Sequence, residues 1–228
     1  MSEPMASVAP SADLSRLESI YRERWEKHGL SPLSLGWTKG KQQLRFKVLL
    51  SDFACEGKSF LDVGCGFGDL NLALCRRASN YKYFGLDMVR EFIEQAKCLY
   101  AGSHISFACG DFLSIPHVES VDYVVSSGIF AFRLSEVDNY EYIRRVLAKM
   151  LSVSREAVSV DFLSDRVNFR RDQNFYASPE RVLSLCLALT KNVKLRHDYM
   201  PFEFAVTLYK DDSYSDSETI FRKYANAG

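Results

Sequence analysis

The sequence predicts an α/β protein with a doubly wound, mostly parallel sheet, on three observations. From Lys58 to Leu189, apolar β-rich runs alternate with helical patterns. A glycine-rich turn follows the first of these runs, and near the end two β-rich runs are separated only by Met200, Pro201 and Phe202. Strands alternating with helices form right-handed βαβ units and hence a parallel sheet. A link as short as the last one forces an antiparallel hairpin.

The elements follow in order. Residues 1–13 are rich in Ser, Ala and Pro and are expected to be a disordered arm. Asp13 to Lys27 carries Leu14, Leu17, Ile20, Tyr21 and Trp25 at helical spacing. A loop with Gly29, Pro32, Gly36 and Trp37 leads to a second amphipathic helix over about Gly40 to Phe53, with Leu44, Val48 and Leu49 on one side. Strands are predicted at 58–63, 81–86, 104–109, 121–126 and 156–163, and helices from about 69, then at 89–100, 138–151 and 179–189. Val193–Tyr199 and Glu203–Tyr209 form the hairpin, and the acidic, Ser-rich tail beyond receives no function.

Composition narrows the functional classes. The 228 residues fit one domain, and 47% hydrophobic residues suffice for a three-layer core. Lys plus Arg and Asp plus Glu both total 29, so no global field draws in nucleic acid or an anionic membrane. A small-molecule partner is expected. Without an apolar targeting region or a run of spanning length, a cytoplasmic protein is expected. The six cysteines (Cys55, Cys65, Cys75, Cys98, Cys109 and Cys186) show no metal-ligand spacing and read as free thiols, with no metal assigned.

The chemistry is carried by three strand ends. In Phe60-Leu61-Asp62-Val63-Gly64-Cys65-Gly66-Phe67-Gly68-Asp69-Leu70, an apolar strand runs into a glycine turn that opens a helix, where open α/β sheets bind ligands. The third glycine comes one residue too early for the dinucleotide fingerprint, and Asp69 occupies its helix-packing position, where an acid would repel a pyrophosphate. Asp62 adds a second acid to the same corner, which suits a cationic ligand. Asp62 as a cap of nearby amides and Asp69 as a helix start is the alternative. Tyr83-Phe84-Gly85-Leu86-Asp87-Met88 ends a second strand in an acid placed to accept from ribose hydroxyls, although Asp87 also suits an N-cap for the segment from Val89. In Phe107-Ala108-Cys109-Gly110-Asp111-Phe112, Asp111 suits an adenine amine, and Phe112 with Met88 suits the ring's walls.

Together Asp62-Val63-Gly64-Cys65-Gly66-Phe67-Gly68, Gly85-Leu86-Asp87-Met88 and Gly110-Asp111-Phe112 resemble the successive motifs of the class I S-adenosylmethionine-dependent methyltransferases. The resemblance covers roughly residues 40–210 and implies a Rossmann-like, seven-stranded sheet of order 3-2-1-4-5-7-6 whose last strand is antiparallel. It implies S-adenosyl-L-methionine as cofactor and S-adenosyl-L-homocysteine as product. Gly64, Cys65 and Gly66 would line the methionine part, and Asp62, Asp69 and Leu70 would also belong to the cofactor site. Asp87 would hold the ribose, Asp111 and Phe112 would meet the adenine with Met88 beside its ring, and Ser127 and Gly128 would touch the methionine end. There is no Asn-Pro-Pro-Tyr-like segment after the fourth strand, so amino methylation of bases or glutamine side chains loses weight.

On this reading residues 14–53 are N-terminal helices and a lid, 54–210 the cofactor-binding domain, and 211–228 a tail. Tyr21, Trp25 and Trp37 resemble such a lid. Arg45, with Gln42 one turn earlier, is the candidate partner of the methionine carboxylate, against a solvated helix face. Phe130, Phe132, Asn174, Phe175, Tyr176, His197 and Tyr199 are acceptor-side candidates. Tyr176 and His197 are the candidate catalytic groups, although packing explains both as well. Arg166, Arg170 and Arg171 read first as a solvated loop and second as a site for an anionic acceptor. The expected activity is methyl transfer to an O or N atom of a small molecule. A protein or RNA methyltransferase, a non-catalytic cofactor-binding protein and an NAD-dependent oxidoreductase are the competitors, and metalloid methylation stays open.

Overall fold

The computed structural model describes residues 12–36, 41–210 and 220–221. Most of the expected arm and tail, and Trp37, therefore lie outside the described residues. The elements are α1 (Ala12–His28), α2 (Gln42–Leu49), β1 (Lys58–Val63), α3 (Leu70–Leu74), β2 (Tyr81–Asp87), α4 (Arg90–Leu99) and β3 (Ile105–Cys109). They continue as β4 (Val121–Ser126), α5 (Asn139–Val153), β5 (Ser154–Leu163), α6 (Pro179–Leu189), β6 (Val193–Met200) and β7 (Glu203–Tyr209). The seven strands form one sheet of order β3-β2-β1-β4-β5-β7-β6. β1 pairs parallel with β2 and β4, β2 with β3, and β4 with β5. β7 runs antiparallel between β5 and β6, as the short link requires.

Side-chain alternation along the strands divides the core in two. Phe60 of β1 and Tyr123 of β4 pack on one face with Phe46, Leu49, Leu70 and Leu74 of α2 and α3. Leu61 and Val124, the next residues along, pack on the other with Ile143 and Leu147 of α5 and Val182 of α6. Both faces of the sheet are covered, which is why its central strands read as apolar runs. The second helix is shorter than expected. Leu50 N–H still bonds Phe46 carbonyl, but Ser51 and Phe53 turn back to Val48 and Leu50 in tight three-residue closures.

α1 lies over the carboxyl ends of the strands. Tyr21 and Trp25 pack against Phe92, at ring-centre distances of 6.0 and 6.2 Å, and Trp25 also meets Phe67 at 5.8 Å. The helix is tied at its first turn, where Asp13 accepts from Ser135 N–H (2.8 Å), Ser135 hydroxyl (2.7 Å) and Glu136 N–H (2.8 Å). Burial alone would raise the Asp13 pKa, but these bonds and Arg16 outweigh it and bring it down to about 2. Farther along, Arg22 reaches Glu91 of α4 at 3.2 Å.

All six cysteines are free thiols. Among the described residues no helix is long and apolar enough to cross a membrane, and no cluster of acids, His and Cys is arranged to hold a metal ion.

Asp13→Ala leaves the Ser135 and Glu136 amides without their acceptor and costs ~1–3 kcal/mol. Urea denaturation reads that loss, and hydrogen exchange shows it as faster exchange across residues 12–28 than across the sheet.

Candidate active site

The carboxyl ends of β1 to β4 open into a cavity of about 340 Å³, closed on one side by α1 and on another by residues 163–176. Its floor is the turn after β1. Gly64 has φ +72° and Gly66 φ +56°, a region that L side chains rarely adopt. A Cβ on Gly64 would stand 2.3 Å from Ile129 Cγ2, and one on Gly66 would stand 2.8 Å from Leu35 Cδ2. Glycine at these two positions therefore lets the turn take left-handed backbone and lets Ile129 and Leu35 close onto it, which fixes this cradle as the cavity's floor.

Asp87 fixes that cradle. Its carboxylate accepts from Gly66 N–H at 2.8 Å and from Val89 N–H at 2.9 Å, while Gly64 and Cys65 N–H both donate to Leu86 carbonyl. Asp87 lines the cavity and holds the amide two residues on, but it is not the N-cap of α4, which is Val89, without a side-chain cap bond. Burial pushes its pKa up, against the pull of the Val89 and Gly66 amides. Asp62, beneath the turn, is buried and accepts from Tyr83 hydroxyl at 2.8 Å. Burial raises its carboxyl to about 7, with Tyr83 opposing. Asp111 closes the third strand end and holds Leu113 N–H, Ser114 N–H and Ser114 hydroxyl.

Of the cofactor-side candidates, Asp62, Gly64, Cys65, Gly66, Asp87, Met88, Asp111, Phe112, Ser127, Gly128 and Arg45 line the cavity. Arg45 does so as part of an ion pair and not as an open cation. Its guanidinium grips Glu203 through both Nε and Nη2, with Nε 2.6 Å from Oε2. Asp69 and Leu70 are not on the cavity wall. Asp69 accepts from Tyr100 hydroxyl at 3.3 Å, and Leu70 is wholly buried in the core with Phe46, Leu49 and Leu74.

On the acceptor side Tyr21, Phe132 and Tyr176 line the cavity, as do Asn174 and Arg171. Tyr176 hydroxyl accepts Arg171 N–H at 3.0 Å. The other candidates are corrected by the geometry. Trp25 packs under α1 on Phe67 and Phe92. Phe130 is stacked on Phe162 at 4.9 Å inside the core. His197 points its Nε2 to Ser164 hydroxyl at 3.0 Å, with its ring parallel to Phe204, and Tyr199 packs on the α2 side of the core. β6 is an edge strand of the sheet, so β5 and β7 stand between these two residues and the ends of β1 to β4 that form the cavity.

Two acids escaped sequence reasoning. Asp161, near the end of β5, accepts from Ser127 hydroxyl at 2.6 Å and Gly128 N–H at 2.8 Å and so orients the loop after β4. Burial raises its pKa to about 6, against the bonds from Ser127. An acid inside Ala157-Val158-Ser159-Val160-Asp161-Phe162 was the available signal. Glu203 gave none, since its partner Arg45 lies 158 positions away.

A sheet of this order with a glycine cradle and acids at successive strand ends defines a class I methyltransferase fold. A family model described as a methyltransferase domain matches residues 60–162. Rv1506c of Mycobacterium tuberculosis, a protein named as a methyltransferase, is 31% identical over 163 residues, which cover 69% of this chain and 96% of that protein. The chain belongs to the class I S-adenosylmethionine-dependent methyltransferases. Solved structures of similar fold include the DhpI–SAM–HEP complex (TM-score 0.64, 14% identity, 88% of this chain and 99% of that one). Another is magnesium protoporphyrin IX methyltransferase of Synechocystis PCC 6803 with bound SAM (TM-score 0.63, 13% identity, 90% and 98%).

Gly64→Ala forces a side chain into left-handed backbone, at ~1–3 kcal/mol from that cause alone. Adding Ile129→Ala, which removes the colliding methyl, restores only part of the loss in urea denaturation, because the backbone strain remains.

Proposed function

We propose that the protein moves the methyl group of S-adenosylmethionine to an O or N atom of a small molecule held in the 340 Å³ cavity. The observation that carries this reading is that one cavity joins the glycine cradle to an aromatic wall, Tyr21, Phe132 and Tyr176, roofed by α1. A volume in this range suits small molecules, and a roofed cavity suits them better than a macromolecular chain.

The residues fit the cofactor. Gly64, Cys65 and Gly66, on the cavity wall, would take the methionine part, Asp87 the ribose, and Asp111, Phe112 and Met88 the adenine. Asp62 and Asp87 give that end negative character, which suits a sulfonium and an ammonium. When bound, S-adenosylmethionine supplies a methyl group on a leaving group already activated by its charge.

The chain's own contribution is then orientation and exclusion of water. Asp161 fixes Ser127 and Gly128, so the loop after β4 is set before any ligand arrives. Tyr21, whose pKa burial raises to about 12, stays protonated and serves as wall and donor, not base. Tyr176 uses its oxygen to accept Arg171 N–H and keeps its own proton to donate to an acceptor. His197, bonded to Ser164 off the cavity wall, has no part in this scheme. The three exposed thiols, Cys75, Cys98 and Cys109, suit a reducing compartment, and the reading places the reaction in the cytoplasm.

Calorimetric titration with S-adenosylhomocysteine, with NAD as control, tests the reading. Micromolar binding of the first alone supports it, and binding of NAD alone, or of neither, rejects it. The pH dependence is a second check. Below about 7 the Asp62 carboxyl holds a proton that a cationic ligand must displace. Affinity for S-adenosylmethionine therefore rises as pH passes upward through that value, with proton release to buffer below it.

A further inference from the structure

We propose that the acceptor carries an anionic group, a carboxylate on an apolar or aromatic body, received by Arg24 with Arg171. This rests on the methyltransferase reading above and names its substrate class.

Arg24 projects from α1 into the cavity wall. Its guanidinium carbon lies 5.4 Å from the centre of the Tyr21 ring and 5.5 Å from that of Phe132. Gly36, at φ +80°, passes so close that a Cβ there would stand 2.7 Å from Arg24 Nη1. The guanidinium is thus sandwiched by rings and backbone, which fixes its plane and strips part of its water. Arg16, Arg22 and Arg45 each meet a carboxylate, whereas Arg24 forms no ion pair among the described residues. A cation held rigid on a cavity wall without a counterion is a prepared anion site.

Arg171 joins it through the backbone. Phe132 and Asn174 form an antiparallel bridge, reinforced by Arg133 N–H to Gln173 carbonyl (2.9 Å) and Phe175 N–H to Ala131 carbonyl (3.0 Å). That bridge brings the segment carrying Arg171 and Tyr176 beside the segment whose Phe132 supports Arg24. Arg171 also lines the cavity and forms no ion pair among the described residues.

The cavity's acids do not compete for these cations. Asp87 and Asp111 are engaged by backbone amides, Asp62 by Tyr83, and Glu203 by Arg45. The cavity is therefore acidic where the cofactor's positive charge would lie and basic along the aromatic wall. An acceptor with an apolar body and one negative group matches that wall, and its charge orients the reacting atom toward the cradle.

The test uses benzoate and its neutral isostere benzamide, titrated by ligand-observed NMR into the full chain saturated with S-adenosylhomocysteine. Benzoate is expected to bind at least about tenfold more tightly, the size of one charge-assisted hydrogen bond. Arg24→Gln removes that preference, Arg24→Lys restores part of it, and Arg171→Gln, at an exposed position, weakens it without touching α1. S-adenosylhomocysteine affinity stays unchanged in all three variants. Equal binding of the two probes by a chain that binds S-adenosylhomocysteine overturns this inference alone. Loss of S-adenosylhomocysteine affinity in Arg24→Gln also overturns it, because the guanidinium would then hold the cofactor's own carboxylate. A wild-type chain that fails to bind S-adenosylhomocysteine overturns the methyltransferase reading beneath it.

Discussion

One buried carboxylate holds the ligand end of this molecule together. Asp87 sits where β2 stops, and its two oxygens bind one amide of the glycine turn and one amide of the next helix start. Parallel strands end side by side, and the chain leaving each must turn away without leaving its amides unpaired. Asp87 satisfies two such amides at once, and in doing so locks the β1 turn over the end of β2. The apolar pad of Phe67, Val89 and Phe92 forms on that lock, and Tyr21 and Trp25 of α1 rest on the pad. The roof of the cavity is therefore only as firm as the strand end below it.

The sheet was legible because its signals are local. Period-two runs, short helices between them and a three-residue link gave the strands and the hairpin, and most boundaries fall within two residues of the pattern. The α5–β5 junction was the least visible. Helix ends at Val153 and strand begins at Ser154, with no Gly or Pro to mark the change. The acids at strand ends were equally legible, since position in an alternating pattern places Asp62, Asp87 and Asp111 at one edge of the sheet.

What sequence reasoning could not reach depends on contacts between distant segments. Arg45 looked like a free cation on an amphipathic helix, and only the fold brings Glu203 to it. His197 and Tyr199 had the right chemistry, but pattern gives a strand's faces and not its distance from the cavity across the sheet. The order implied by the family resemblance already puts β6 outside β7, as observed, and so away from the strand ends around the glycine turn. Phe130 and Phe132 show the same gap at shorter range. They are two residues apart in one loop, yet Phe130 is stacked into the core on Phe162 and Phe132, bridged to Asn174, stands in the cavity wall.

The position of β7 has a consequence for how the chain matures. Among the described residues it is the last strand in sequence, yet it lies inside the sheet, and β6 joins the other strands through it. A nascent chain that has emerged as far as Met200 therefore carries β5 as an open edge, with Val158, Val160 and Phe162 waiting for cover. Such an edge is a template for pairing with other chains. Closure of the sheet, and with it protection from self-association, must await the synthesis of only a few more residues, Glu203 to Tyr209.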